Sequence, residues 1–154
     1  GVILGSGFWS SGSGTMFSQV NKGFSFYSEG VTGFVGVKDV IYCMVGLMES
    51  TCKNERFILV SENKSFKEVL FSIADAFGKK KPSKCVQPWQ ASLFWRWEWL
   101  VSKITSRKTR MSKYTAKTLH SKKYYSSDKI KKLGINKFES IEEVITSVSD
   151  DFLV

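Results

Sequence analysis

A loop rich in glycine and serine, residues 5–14, follows the apolar run Val2-Ile3-Leu4. Glycines placed just after a buried strand are how dinucleotide-binding and P-loop folds hold phosphate groups. The dinucleotide pattern G-x-G-x-x-G fails because Ser10 stands where a third glycine or an alanine is needed. The P-loop pattern fails because Ser13 stands where its lysine is needed. The residues therefore predict a connection from a strand to a helix rather than a phosphate-binding loop.

The side chains that could bind a metal or act as a thiol nucleophile are few. The chain has three cysteines, Cys43, Cys52 and Cys85, and one histidine, His120. No two cysteines have the C-x-x-C spacing of a zinc site or a redox pair, and an odd number does not suit a disulfide framework. The sequence therefore predicts reduced thiols, no metal site and a cytoplasmic location.

The composition predicts one folded domain. The chain has 154 residues, of which 42% are hydrophobic and 14% are aromatic, and these fractions suit a packed core rather than disorder. No stretch resembles a signal peptide. The longest aromatic segment, residues 91–101, contains Arg96 and Glu98, so it is too short and too charged to span a bilayer. We therefore expect no membrane partner.

The net charge of +9 raises nucleic-acid binding as an alternative. Basic residues concentrate in residues 103–132, where eleven lysines and arginines accompany a single acid, Asp128. Such a bias can mark a nucleic-acid surface. No arginine cluster or RNA-binding motif accompanies it, and the aromatic residues are grouped elsewhere. We prefer a solvated basic face, or long-range attraction of an anionic substrate, and keep a nucleic-acid-binding domain as a third alternative.

The apolar periodicity predicts a helix-rich α/β fold in which strands and helices alternate. The predicted strands are residues 2–4, 24–27, 32–37, 56–60 and 85–86, with a further extended segment at 123–125. The predicted helices are residues 15–22, 40–48, 66–77, 88–103, 112–119 and 127–133, followed by a final helix. Capping boxes at Ser65 and Ser140 begin two of the helices, and Gly78 ends one.

Two of these helices carry specific expectations. For the helix at residues 40–48, Asp39 is the predicted cap. Its apolar stripe, which we expect to face the core, consists of Val40, Met44, Val45 and Met48. The helix at residues 88–103 has tryptophans on more than one face, which favours a helix wedged into the core over a membrane-surface or ligand-stacking helix.

Four stretches, taken in order, carry a resemblance to a known family. They are GVILGSGFW (residues 1–9), TGFVGVKDV (32–40), RFILVSENKSFKEVLFSIADAFGKK (56–80) and SKKYYSSDKIKKLG (121–134). Together they resemble the C-terminal part of an extended short-chain dehydrogenase/reductase, from the NAD-dependent epimerase/dehydratase family near its dihydroflavonol-reductase-like branch. The resemblance implies that residues 1–154 are the C-terminal substrate-binding lobe of a Rossmann-type α/β fold. Its last strands and helices would return to an N-terminal Rossmann domain that this chain lacks, together with most of the dinucleotide-binding sheet.

The same resemblance implies an NAD(P)-dependent oxidoreductase or epimerase that acts on a carbonyl or hydroxyl of a small organic or sugar substrate. The glycine motif that binds NAD or NADP, and the catalytic Tyr-x-x-x-Lys, would lie in the N-terminal domain. We therefore expect no catalytic residue in this chain and no activity from it alone. The loop after the first strand would border the substrate and the nicotinamide. The expected substrate-binding residues are Gly5, Ser6, Gly7, Phe8, Trp9 and Ser10, with Ser13 as a further candidate.

Two alternatives qualify these expectations. Phe8 and Trp9 could equally be aromatic residues that pack within the lobe. In addition, the first strand has no preceding element in the sequence, so we expect the chain to be a fragment whose strand partners lie upstream. As a second function, the chain could be a non-catalytic binding or interaction module whose free strand edge and tryptophan-rich helix bind a partner. A homodimer is a further alternative.

One motif imitates the catalytic pair. Tyr125 and Lys129 have the literal Tyr-x-x-x-Lys spacing, and that chemistry needs both side chains on the same face of one helix. The ammonium group can then lower the pKa of the phenol, which transfers the proton. Here Ser127 is a predicted helix cap between the two residues. Tyr125 would therefore precede the helix that contains Lys129, and we expect a structural role.

The chain also departs from the family pattern. Nucleotide-sugar epimerases commonly carry an arginine that binds the substrate pyrophosphate just before the Phe-Val-x-Val segment. This chain has Thr32 and Gly33 there, and Gly36 replaces a usual acidic or histidine side chain. The departures disfavour a nucleotide-sugar substrate and leave a reductase-like or unassigned substrate open.

Overall fold

The computed structural model describes residues 1–87, 120–135 and 137–153. Its strands are β1 (Val2–Leu4), β2 (Phe26–Tyr27), β3 (Val31–Gly36), β4 (Glu62–Ser65) and β5 (Lys84–Cys85). Its helices are α1 (Gly14–Asn21), α2 (Val37–Glu49), α3 (Phe66–Ala76), α4 (Asp128–Lys131) and α5 (Ile141–Leu153). In these parts of the chain the predicted helix-rich α/β class is confirmed. The predicted helices at residues 88–103 and 112–119 lie outside the described residues.

Strand β3 is the centre of a three-stranded sheet with the order β1-β3-β4. Strand β1 runs parallel to β3, with Leu4 opposite Gly36, and β4 runs antiparallel to it. Strands β2 and β5 form a separate parallel pair. Residues 32–36 of β3 are all buried, which is typical of a parallel strand covered on both faces.

One face of the main sheet carries a completed core. Leu4 and Phe34 project from β1 and β3 onto this face and are fully buried. Helices α1, α3 and α5 cover it with apolar side chains at helical spacing. The fully buried members from these helices include Phe17, Val69, Ile73, Ile141 and Ile145. We call this side of the molecule the closed face.

The opposite side of the sheet is less complete. Side chains alternate along a strand, so Ile3 and Val35 point away from Leu4 and Phe34. Val35 is buried, whereas Ile3 remains 51% exposed. A small cluster of Cys43, Ile130 and Ile135, with Leu47, Phe57, Leu59 and Phe138 packed against it, joins α2 to α4. We call this side, together with α2, the open face.

Both predicted capping boxes are confirmed. Ser65 Oγ accepts from the backbone N–H of Glu68 (3.1 Å), and the Glu68 carboxylate accepts from the backbone N–H of Ser65 (2.7 Å). Ser140 and Glu143 repeat this arrangement at the start of α5. The hydrogen bonds from the Ser65 side chain and backbone lower the pKa of Glu68. Gly78 follows the end of α3 with φ of +60°, as expected for a residue that ends a helix.

The predicted strand at residues 56–60 is wrong. Val60 N–H donates to Ser127 Oγ (2.9 Å), and Ser127 Oγ–H donates to the Val60 carbonyl, so a side chain takes the place of a neighbouring strand. Sheet pairing begins one residue later, where Ser61 N–H donates to the Phe34 carbonyl (2.9 Å). The strand that forms, β4, is polar and was not predicted. Two residues of the run RFILV, Phe57 and Leu59, pack into the small cluster of the open face without forming a ladder.

The boundaries and orientation of α2 also differ from the prediction. The helix begins at Val37 with Gly36 as its N-cap, so Asp39 is the third helical residue rather than the cap. Three of the four residues of the predicted inward stripe are exposed, at 57% for Met44, 49% for Val45 and 83% for Met48, whereas Val40 is half-buried. The pattern correctly indicates that one side of the helix is apolar. It does not indicate which structure buries that side.

Candidate functional site

The loop between β1 and α1 begins at the carboxyl end of β1 and turns back on it. Ser13 Oγ donates a hydrogen bond to the Ile3 carbonyl (2.6 Å), which fastens the far end of the loop to the strand. Gly7 has φ of +108° and Gly12 has φ of +58°, a backbone region that other residues rarely adopt. The two turns of the loop therefore depend on glycine at these positions.

The carboxyl ends of β1 and β3 meet the start of α2 in a shallow depression. It is lined by Gly5 and Ser6 of the loop, by Gly36, Val37 and Lys38, and by Ser147 and Asp151 of α5, among others. This edge of a parallel sheet is where α/β proteins bind ligands. The depression has a volume of about 30 Å³, room for only one or two water molecules. The described residues therefore form one wall of a site rather than an enclosed pocket.

Two of the six predicted substrate-binding residues lie in this wall. They are Gly5 and Ser6, and a Cβ atom on Gly5 would lie 2.8 Å from Val37 Cγ1. Gly5 therefore lets the loop pass close to the start of α2. Gly7 and Ser10 are exposed and do not line the depression. The structure does not bring all six residues together.

The neighbours Phe8 and Trp9 have different environments. The Phe8 side chain is 79% exposed. The Trp9 ring packs edge-on against Phe152 (4.7 Å between ring centroids) and Phe17 (6.2 Å). Trp9 thus has the packing role that the sequence left as an alternative, and Phe8 is the aromatic side chain of the loop that a ligand could contact.

Asp39, in the first turn of α2, is 5% exposed. Its carboxylate accepts from the backbone N–H of Glu139 (3.3 Å to each oxygen) and from the backbone of Gly36. Burial raises the pKa of Asp39, and these backbone hydrogen bonds oppose the rise. Burial, followed by the charge of Asp39, also raises the pKa of the Cys43 thiol. Asp39 therefore fastens the start of α2 to the segment before α5.

Tyr125 lies before α4 and Lys129 lies within it, as predicted, so the two residues are not on one helix. Tyr125 exchanges two backbone hydrogen bonds with the Asn63 side chain (2.8 and 2.9 Å). The Lys129 ammonium group binds Glu55 (2.8 Å) and lies 4.8 Å from the centre of the Phe57 ring. These contacts commit Lys129 to the segment that follows α2.

The sequence interpretation missed the residues that complete the wall. Lys38 Nζ lies 3.4 Å from Ser147 Oγ, which places a cation of α2 beside α5 at the rim of the depression. A sequence signal for Lys38 was present, because Lys38 follows the third strand and parallel pairing of the first and third strands brings their carboxyl ends together. That pairing places the start of the loop beside the start of α2, in agreement with the register of Leu4 opposite Gly36.

Metal-binding clusters and membrane-spanning helices are both absent from the described parts of the chain. Residues 1–87, 120–135 and 137–153 contain no group of three or more His, Cys, Asp or Glu side chains arranged to hold a metal ion. Over the same residues, no helix has the length and apolar character needed to cross a membrane.

Comparison with known proteins gives similarity of structure only. No protein-family model matches the chain, and no curated protein matches its sequence. The crystal structure of gox2253 superposes with a TM-score of 0.76 at 20% identity over 99% of this chain and 47% of that one. At these identities the likeness shows the fold.

Two further solved structures are similar. The Bordetella bronchiseptica enzyme WbmG in complex with NAD and UDP has a TM-score of 0.64 at 14% identity, over 98% of this chain and 40% of that one. RMD from Pseudomonas aeruginosa, complexed with NADPH, has a TM-score of 0.60 at 13% identity, over 98% of this chain and 46% of that one. The chain therefore spans less than half the length of each of these three structures.

Proposed function

We propose that this chain is the substrate-side part of an NAD(P)-dependent oxidoreductase or epimerase that acts on a carbonyl or hydroxyl of a small organic or sugar substrate. One observation carries the proposal. Almost the whole chain superposes on less than half the length of each of two proteins whose structures were solved in complex with NAD or NADPH. The resemblance of the four sequence stretches to the C-terminal part of the epimerase/dehydratase family supports the same conclusion. The three free thiols support a reducing, cytoplasmic location.

In this proposal a Rossmann domain binds the dinucleotide, which supplies the hydride chemistry, and this chain contributes the substrate side. Glycine at positions 5 and 7 lets the loop backbone approach a ligand closely. The exposed Phe8 ring offers an apolar surface, and Lys38 places a positive charge at the rim. The proton-transferring tyrosine belongs to the Rossmann domain, so the chain alone is expected to bind no dinucleotide and to be inactive.

The environment of two glycines supports a substrate without a pyrophosphate group, as in the dihydroflavonol-reductase-like branch. A Cβ atom on Gly33 would lie 2.5 Å from Val60 Cγ2, and one on Gly36 would lie 2.9 Å from Val144 Cγ2. Neither position can present a charged side chain unless Val60 or Val144 moves. The arginine and the acidic or histidine side chain of the nucleotide-sugar enzymes therefore have no equivalent at these positions.

Four described lysines outside the basic segment at residues 103–132 bear on the nucleic-acid alternative. Lys22, Lys79, Lys80 and Lys81 surround a depression next to the ends of α1 and α3. Lys81 binds Asp75 of α3 (2.8 Å), and positive side chains near the C-terminal ends of helices stabilise the helix dipoles. These four lysines thus have a structural explanation.

The proposal is tested on the native protein. An antibody raised against the 154-residue chain is used to recover the protein from its source cells, and its mass and retention on an NADP-linked resin are measured. We expect a polypeptide about twice as long as this chain, consistent with the 47% coverage of gox2253, that is retained and eluted by free NADPH. A native protein of 154 residues that is not retained would overturn the proposal. The recombinant 154-residue chain serves as the matched negative control.

A further inference from the structure

A second depression lies where α1 and α3 end, and it shares no lining residue with the candidate substrate site. Its volume is about 350 Å³, which is room for a small ligand. Among the described residues that line it, every side chain is polar and none is a carboxylate. They include four lysines and two serines, namely Lys22, Lys79, Lys80, Lys81, Ser25 and Ser83. We call this feature the lysine depression.

Most of the positive charge of the lysine depression has no partner within the described residues. Lys81 forms an ion pair with Asp75 of α3 (2.8 Å). Across residues 1–87, 120–135 and 137–153, no acidic side chain lies within ion-pair distance of Lys22, Lys79 or Lys80. These like charges come together from the ends of two helices, and their mutual repulsion costs free energy that a bound anion would remove.

The helix ends balance only part of this charge. The last turn of α1 is capped by its own backbone, because the N–H groups of Gly23 and Phe24 donate to its carbonyls (2.9 and 3.0 Å). The N–H groups of Gly78 and Lys79 do the same for α3 (3.0 and 2.8 Å). The negative end of a helix dipole is equivalent to about half an elementary charge, so two helix ends balance about one lysine. About two positive charges are left over once Lys81 is paired with Asp75.

The backbone holds the two sides of the lysine depression at a fixed separation. The Ser25 carbonyl accepts hydrogen bonds from the backbone N–H groups of Ser83 (3.0 Å) and Lys84 (2.8 Å). The pairing of β2 with β5 continues this contact, with Phe26 opposite Lys84. Pro82, between the lysine run and β5, is buried. The lysines are therefore brought together before a ligand arrives, and binding has to order only their side chains.

We propose that the lysine depression binds a small soluble anion whose phosphate chain has two or more groups and a free terminal phosphate. A terminal phosphate carries about −1.5 to −2 charges near neutral pH, so a short phosphate chain balances the unpaired lysines. Lysine ammonium groups bind phosphate oxygens through strong, charge-assisted hydrogen bonds. This site is separate from the candidate substrate site, and it does not depend on the proposed function.

The surroundings favour a small anion over a nucleic acid or a membrane. Proteins that bind single strands stack the bases on free aromatic faces. Here Phe24 and Phe26 pack against each other (5.5 Å between ring centroids), and the Lys84 ammonium group lies over the Phe26 ring (5.6 Å). A membrane-surface site combines basic side chains with apolar ones that enter the lipid, whereas the lining of the lysine depression is polar.

Calorimetric titration with inorganic pyrophosphate tests the proposal on the full-length natural protein, expressed recombinantly. We expect saturable binding at one site per chain. The double variant Lys22→Ala/Lys80→Ala should weaken it by about tenfold or more, since each lysine supplies a hydrogen bond to a charged group. The control Lys53→Ala/Lys137→Ala removes the same charge from exposed positions elsewhere and should change the affinity by less than about twofold. Equal losses in both variants would show general attraction to a basic protein and overturn the proposal.

Lysine acetylation read by mass spectrometry locates the site without any substitution. Pyrophosphate should protect Lys22, Lys79 and Lys80 of the wild-type protein and leave the acetylation of Lys53 unchanged. Absence of protection, or equal protection of Lys53, overturns the proposal.

Competing ligands test the source of the phosphate groups. NAD, whose two phosphates lie between two nucleosides, should not displace pyrophosphate. Single-stranded RNA and phosphatidylcholine vesicles containing phosphatidylinositol bisphosphate should each bind more weakly than pyrophosphate. Tighter binding of the RNA or of the vesicles, or displacement by NAD, rejects a small anion with a free terminal phosphate as the occupant.

Discussion

The closed and open faces of the same sheet differ in how completely they are packed. On the closed face, α1, α3 and α5 bury Leu4 and Phe34 completely. On the open face, Ile3 is half exposed and α2 turns its apolar stripe outward. Apolar burial is the main favourable contribution to folding, so among the described residues the closed face contributes more to stability than the open face. The open face has exposed apolar surface that no described residue covers.

The largest expected difference is between matched isoleucines on the two faces. Ile73→Ala removes a fully buried side chain of α3 and should lower the free energy of unfolding by about 3 kcal/mol. Ile41→Ala, at a position that is 56% exposed on α2, should change it by less than about 0.5 kcal/mol. Urea unfolding followed by circular dichroism measures both. Equal losses would show that the open face is already packed in the isolated chain.

The next contrast lies within the loop after β1. Trp9→Ala removes the ring that packs against Phe17 and Phe152, and should cost about 3 kcal/mol of unfolding free energy. Phe8→Ala should cost less than about 0.5 kcal/mol in the 154-residue chain, because the side chain is exposed. In the longer enzyme of the proposed function, Phe8→Ala should instead raise KM. An unchanged KM would remove Phe8 from the proposed substrate surface.

A smaller loss is expected where a serine replaces strand pairing. Ser127→Ala leaves both the N–H and the carbonyl of buried Val60 without the Ser127 hydroxyl, at a cost of about 2 kcal/mol. Ser126→Ala is the control, since its side chain accepts only the exposed N–H of Asp128. Thermal unfolding measures the melting temperatures of both variants. Similar melting temperatures would contradict the stabilising role of the Ser127 hydrogen bonds to Val60.

The smallest effect concerns the capping box of α3. Ser65→Ala should cost about 1 kcal/mol near neutral pH. The Glu68 pKa is lowered in the folded chain. Its carboxylate therefore stabilises the fold at pH values above the ordinary glutamate pKa of 4.5, and this stabilisation is lost as the pH falls through the lowered pKa. The difference in unfolding free energy between the wild type and Ser65→Ala should therefore become smaller at acid pH. A difference that is constant from pH 7 to about pH 3 would contradict the linkage.

How far the sequence predicted the structure depends on whether the signal was local. Helices α3 and α5 were predicted because their caps and apolar spacing are properties of neighbouring residues, and both caps formed as expected. The segment at residues 56–60 was misinterpreted because Ser127, 67 residues away, occupies its backbone groups. The α2 stripe was recognised as apolar, but its orientation depends on Asp39 reaching Glu139, a contact that no local pattern reports.

Prediction of the candidate site was also limited to local signals. The sequence interpretation selected a contiguous run, residues 5–10, because a loop after a strand is visible in one stretch of sequence. The depression instead combines Gly5 and Ser6 with the start of α2 and one side of α5. Lys38 was omitted because the parallel register, and not the local sequence, places it beside the loop, and the role of residues 5–10 in substrate binding stays a prediction.

The burial of Cys43 has a practical consequence for following the folding of this protein. Cys43 is fully buried with a raised thiol pKa, whereas Cys52 and Cys85 are both partly accessible. Alkylating reagents attack thiolates, so at neutral pH they should modify two cysteines of the native chain and all three after unfolding. Intact-mass spectrometry resolves that difference of a single adduct. Alkylation of Cys43 therefore reports when the packing between α2 and α4 opens, and no label needs to be engineered.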